Sequence, residues 1–394
     1  LMSIDGMRDA GIGRDATGVL YGNGLLPVAR VDLTDGALFD DALARLETKA
    51  GEKLPVAEIG GHSVRYFEAD KVKILLGVIK DQAVFTVAPV TFDDAQLGIL
   101  LGLEPPKNSI ADSGALRKIA EDYGFTSHYV GYIDVNAIAE RFIGEASGID
   151  AELIALMESD APELSDVCRA EIREVAGIAP RMVIGYTDIS VDKLDSAMVV
   201  ELRDDIADGM RTLSSTVPGL GGDKGGLMSF GMSIDMQAMR AFVEARLDAM
   251  EAEPFECELF ADLQAGVAGG RQALQRPVPP MIYDFRGFLA VIDDIEGLDI
   301  ETQTPPTSVD GSFLLAMDNA QALVSMGTMF SPELASLNLQ TDGKPVPLDL
   351  PQMQAMGVTA FAAMNEDALA ISVGEDAESE LKGVLSADAA DPSP

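Results

Sequence analysis

Leu25–Asp32 (LLPVARVD) is mostly apolar over a strand-sized window and predicts a strand. Gly36–Lys49 then places Leu38, Ala42 and Leu46 on one helical face, with Asp40, Asp41 and Arg45 off it. Three short strands are expected at His62–Glu68, Lys73–Ile79 and Ala83–Ala88, with Lys80-Asp81-Gln82 as the turn between the last two. Phe92–Leu101 reads as a closing helix. The same order returns near the C-terminus. Ser312–Met317 predicts a strand and Asn319–Met329 a helix. Lys344–Leu350, Gly357–Met364 and Ala368–Val373 predict three strands, and Ala377–Leu385 a last helix. Ala42-Leu43 aligns with Ala322-Leu323, and the hairpin Ile79–Val84 with Met364–Leu369. The pattern reads as a duplicated module; two ordinary units that happen to share an order are the alternative.

A second pattern recurs between the copies: an apolar strand, an aspartate, then a helix. It reads as Val130–Asp134 before Ile138–Ile143, as Ile184–Asp188 before Val191–Leu194, and as Gly231–Asp235 before Met236–Met250. Phe288–Asp294 is a weaker fourth case. Aspartate at that step accepts hydrogen bonds from the free N–H groups of the first helical turn, so these residues are expected to be caps. Glu152–Ala176 reads as helical. The fold class expected is α+β: mostly antiparallel sheets with packed helices, as two repeated strand–helix–three-strand–helix modules around a helical middle. The expected divisions are 1–145, 146–276 and 277–385, with 386–394 as a disordered tail. The break points lie near 144–154 or 277–280.

Charge narrows the function classes. The chain has 28 Lys plus Arg against 65 Asp plus Glu, a net charge of −37. So negative a surface repels nucleic acid and anionic headgroups, which excludes nucleic acid as the main partner. The acids are spread along the chain, as expected of a solvated exterior and compatible with a saline habitat. No apolar stretch reaches the ~20 residues of a membrane helix. The start at Leu1-Met2-Ser3 suggests a processed or truncated chain.

The candidate chemistry is sparse, and no cofactor or metal site is expected. His62 and His128 fall on different expected strands, with no HExxH pattern. No G-x-S-x-G elbow occurs. Gly219–Gly226 is glycine-rich, but Gly225 follows Lys224 where a phosphate loop needs Ser or Thr, so a flexible connection is expected. Acidic pairs such as Asp40-Asp41 and Asp204-Asp205 lack the spacing of a calcium loop. The protein is therefore read as non-catalytic, with an enzyme of unrecognised class as an alternative.

Methionine is the more suggestive signal, with 18 residues and no tryptophan. Met228, Met232, Met236 and Met239 gather in one stretch, and Met353 and Met356 in another. Methionine adapts its shape and suits apolar contact surfaces, although plain core packing uses it too. These six are the candidate residues for an apolar, lipid-like ligand or a protein partner. A structural or assembly accessory without a small ligand is the rival expectation. A continuous methionine-lined cavity points to the ligand, and a large exposed apolar patch to the accessory role.

Cys168 and Cys257 stand 89 residues apart and form no CxxC pair. In an oxidising compartment they would pair; otherwise they are two unrelated thiols.

Pro180–Ser190 (PRMVIGYTDIS), Val217–Asp235 (VPGLGGDKGGLMSFGMSID) and Pro254–Leu259 (PFECEL) are joined by Tyr21–Val31 (YGNGLLPVARV) and Ser109–Asp134. Together these stretches resemble uncharacterised cell-envelope proteins of Gram-negative bacteria, a domain family of unknown function whose members are often exported or lipid-anchored. The resemblance spans most of the chain and carries no catalytic signature. It implies a periplasmic or outer-envelope protein in which the paired cysteines are structural. The family's lipobox cysteine has no counterpart near Leu1.

Overall fold

The computed structural model describes residues 3–104, 109–144, 148–157, 164–191, 193–222, 226–297, 307–330, 337–348 and 359–388. The chain divides into two compact units, Leu1–Arg203 and Asp204–Pro394. Both positions expected as breaks fall inside a unit. The fold is α+β with antiparallel sheets.

The first unit opens with α1 (Ile4–Arg8) and the hairpin β1 (Gly18–Asn23) and β2 (Leu26–Asp32). Helix α2 (Gly36–Ala50) follows. Its cap Asp35 accepts from the N–H groups of Ala37 and Leu38 at 2.9 and 3.3 Å, and Gly51 at φ 76° ends it. A meander then runs through β3 (Val56–Ile59), β4 (His62–Ala69), β5 (Val72–Ile79) and β6 (Gln82–Pro89). The turn between β5 and β6 places Lys80 at φ 55°. The last strand returns beside the hairpin, so the order is β1-β2-β6-β5-β4-β3. Helix α3 (Asp94–Leu100) starts on a capping box of Asp93 and Gln96. It sets Leu97 and Leu100 on Val28, Val64, Leu75 and Val84. Each such buried aliphatic side chain contributes about 1.5–3 kcal/mol.

The rest of this unit holds α4 (Ile110–Ser113), α5 (Ala115–Tyr123), β7 (Val130–Asp134), α6 (Val135–Ile143), α7 (Ile149–Met157), α8 (Asp166–Ala176), β8 (Arg181–Ile189) and β9 (Leu194–Glu201). Strands β7-β8-β9 form a second antiparallel sheet, packed through Val183 onto Ile119 and Phe125. The middle of the chain, expected to combine helices with short strands, carries this sheet among its helices.

The second unit runs α9 (Asp204–Arg211), β10 (Met228–Ser233), α10 (Met236–Ala252), α11 (Ala261–Gln275), α12 (Pro280–Tyr283), β11 (Phe285–Glu296) and β12 (Ser308–Met317). Next come α13 (Ala320–Phe330), β13 (Val346–Pro347), β14 (Ala360–Met364), β15 (Ala368–Val373) and α14 (Ala377–Ser386). The third sheet is ordered β10-β11-β12-β15-β14-β13. Its winding is that of the first sheet: a hairpin, a helix, then a meander whose last strand pairs with the hairpin's second strand. In each sheet the inserted helix lies on one face and the closing helix on the other. The third sheet differs by carrying β10 outside β11, whereas β1 ends the first sheet.

Two of the four strand–aspartate–helix expectations hold. Asp134 accepts from the Ala137 N–H at 2.8 Å, and Asp235 from those of Gln237 and Ala238 at 2.9 Å. Asp188 does not precede a helix. Strand β8 continues to Ile189 and turns back as β9, because Leu194–Glu201 alternates exposed and half-buried positions with a strand's period of two. Asp294 lies within β11 after a register shift and caps nothing. His128 stands in the turn before β7, not on a strand.

Candidate functional site: an open apolar sheet face

Antiparallel partners put their side chains on the same face of a sheet. Met228, Phe230 and Met232 on β10 pair with Ile292, Ala290 and Phe288 on β11. Phe288 and Ala290 pair in turn with Leu315 and Phe313 on β12. The row continues through Leu369 and Ile371 on β15 to Met364 and Ala362 on β14. Every one of these residues is apolar.

Among the described residues the row is covered at one end only. Around β14 and β15, Ala320 of α13 joins Leu339, Leu348, Ala362 and Met364 in a buried cluster. On β10, and at Phe313 of β12, the side chains stand open, while Phe288 between them is half-buried: Met228 is 58% exposed, Phe230 67%, Met232 44% and Phe313 41%. Their rings form a ladder, with Phe230 5.6 Å from Phe288 and Phe288 6.0 Å from Phe313. The opposite face is closed, with Leu381 of α14 and Val217 packed on Leu289, Val291 and Leu314. The first sheet repeats the feature. Leu20, Ala29, Phe85 and Leu76 share the face that carries α2, and Leu20, Phe67 and Phe85 are exposed there.

Of the methionines singled out, Met228 and Met232 come together on this face. Met236 and Met239 lie in the first turns of α10, half-buried, outside the row set by strand pairing. Met353 and Met356 fall outside the described residues, as do 223–225 of the glycine-rich loop. The phenylalanines were not anticipated. Their signal was available in Met228–Ser233 (MSFGMS), where bulky residues occupy alternate positions.

Neither cysteine is free: both are disulfide-bonded, and Cys257 is buried. A separate polar cluster sits on the second sheet. Glu201 accepts from Arg181 Nε and Nη2 at 2.9 and 2.5 Å and from Tyr123 Oη at 2.6 Å. The Arg181 hydrogen bonds hold the Glu201 carboxyl below its usual range, and the bond to Glu201 pushes the Tyr123 hydroxyl above its own. All three groups satisfy one another across β8, β9 and the end of α5. The arrangement fastens those elements to one another.

No described helix is long and apolar enough to cross a membrane. Comparison with known proteins adds no family: no family model, no curated protein and no solved structure matches the chain.

Proposed function

We propose that this is a non-catalytic, exported cell-envelope protein that docks the apolar surface of a protein partner on the open face of β10, β11 and β12. The observation that carries the reading is the apolar row Met228, Phe230, Met232, Phe288 and Phe313, in which all but the half-buried Phe288 are exposed. Contiguous exposed apolar patches mark interaction sites. A flat face also suits a protein better than a small ligand, because small-ligand sites enclose about 70–90% of the ligand. The disulfide supports an oxidising compartment and hence export. An acyl chain is the second reading, favoured by the adaptable side chains of Met228 and Met232.

The test places the photo-crosslinker p-benzoylphenylalanine at Phe230 and irradiates the protein in the envelope of the cells that make it. A discrete protein adduct, reduced about tenfold or more by Met232→Asp, is expected. A lipid adduct instead moves the assignment to the second reading. Absence of any adduct sinks both.

A further inference from the structure

We infer that the outer edge of β1 accepts an added antiparallel strand from a partner protein, an extended segment with alternating apolar residues and basic flanks. The inference concerns the first unit and does not depend on the docking face of the third sheet. It starts from the shared winding of the first and third sheets. In the third sheet the hairpin strand β11 carries β10 along its outer side. In the first sheet the corresponding strand β1 ends the sheet.

Hydrogen-bond parity agrees. The Asp32 N–H donates to the Thr17 carbonyl at 3.0 Å, so bonded pairs fall on odd residues of β1 and the alternation continues through 19 and 21. The N–H and C=O groups of Gly18, Leu20 and Gly22 therefore point away from β2. On β11 the Arg286 carbonyl accepts from the Ile234 N–H at 2.8 Å, which sets Phe288 and Ala290 as the residues bonding β10. Those residues lie on the face that carries α13, as Leu20 lies on the face that carries α2. Among the described residues no strand pairs with this edge of β1, which thus offers the same register on the same face that β10 occupies elsewhere in the chain.

The edge is also unguarded. Natural edge strands are blunted by charge, proline or a bulge. At the far ends of these two sheets, β3 carries Glu58 and β13 carries Pro347. Strand β1, GVLYGN, has neither charge nor proline, and Leu20 is 77% exposed. A net charge of −37 opposes approach of a second copy and favours a strand with basic flanks. Edge addition gives affinity through the main chain and specificity through alternate side chains.

The probe is a labelled peptide of sequence KLMSFGMSIK, the Leu227–Ile234 segment between two added lysines, titrated into the full chain and followed by fluorescence anisotropy. Saturable binding is expected, weakened about fivefold to tenfold by Leu20→Pro, which removes one outward N–H and leaves the bonds to β2. A control peptide N-methylated at the residues matching Phe230 and Met232 keeps the side chains and charge and should not bind. If Leu20→Pro does not fold, hydrogen exchange on the wild-type chain decides: added peptide should slow the amides of Leu20 and Gly22. No binding, equal binding of the methylated control, or unchanged exchange at those amides overturns the inference. So does a concentration-dependent dimer that Leu20→Pro abolishes in the absence of peptide binding, because the occupant is then a second copy.

Discussion

At Glu201 one carboxylate receives three hydrogen bonds, two from Arg181 and one from Tyr123. Its folded-state pKa is lowered, so its contribution to stability is present above the ordinary value of 4.5 and is lost as pH falls through the folded value. Glu201→Gln should therefore lower stability at neutral pH and flatten the fall in melting temperature below the ordinary carboxyl range. Thermal melts of the two proteins down an acid titration measure this. Parallel curves over that range would show that the carboxylate is not held as described. None of this cluster was legible from the sequence. Tyr123 and Glu201 are 78 residues apart, and the fold alone brings a helix end beside an edge strand.

At the scale of elements, the aspartates show what local pattern can and cannot say. Asp134 and Asp235 cap helices because long helical periods come after them, and an aspartate carboxylate meets the free N–H groups of the first turn. Asp188 has the same apolar run before it, but it leads into a strand, and it lies near Lys193 at 3.4 Å instead. Asp235→Ala should destabilise the second unit by about 0.5–2 kcal/mol. Asp188→Ala breaks only an exposed ion pair and should cost about 0–1 kcal/mol. Urea denaturation ranks the two, and equal losses would deny the cap its role. Local pattern also decides which strands were legible. Strands β5 and β6 are dense in Val, Ile and Leu around a two-residue turn, so their period stands out. Strands β1 and β3 did not, since glycines interrupt one and the other spans Val56–Ile59 only. An edge strand needs few apolar residues, so its pattern is faint in the sequence while its consequence for partners is large.

For the whole chain, the repeated order of elements was legible, because each module is a run of local signals separated by turns. The open face was only half legible. Met228 and Met232 drew attention by type, but the row with Phe288 and Phe313 exists only through strand register, which sequence spacing does not reveal. The cysteines bring in the compartment. Both cysteines are disulfide-bonded, and loop-closure entropy makes a bond between cysteines 89 residues apart in sequence worth about 4.6 kcal/mol if it is unstrained. Such a bond persists outside the reducing cytosol. Alkylation of the purified, denatured chain without reductant should therefore label neither cysteine, and alkylation after reduction should label both, read as mass shifts of the intact protein. Cys257 is buried in the folded chain, so labelling only the native protein would confuse a shielded thiol with a bonded one. Denaturing first removes that ambiguity. Labelling of both thiols without reductant would place the protein in a reducing compartment and remove the main physical support for export, leaving the open apolar face to be explained by a cytosolic partner.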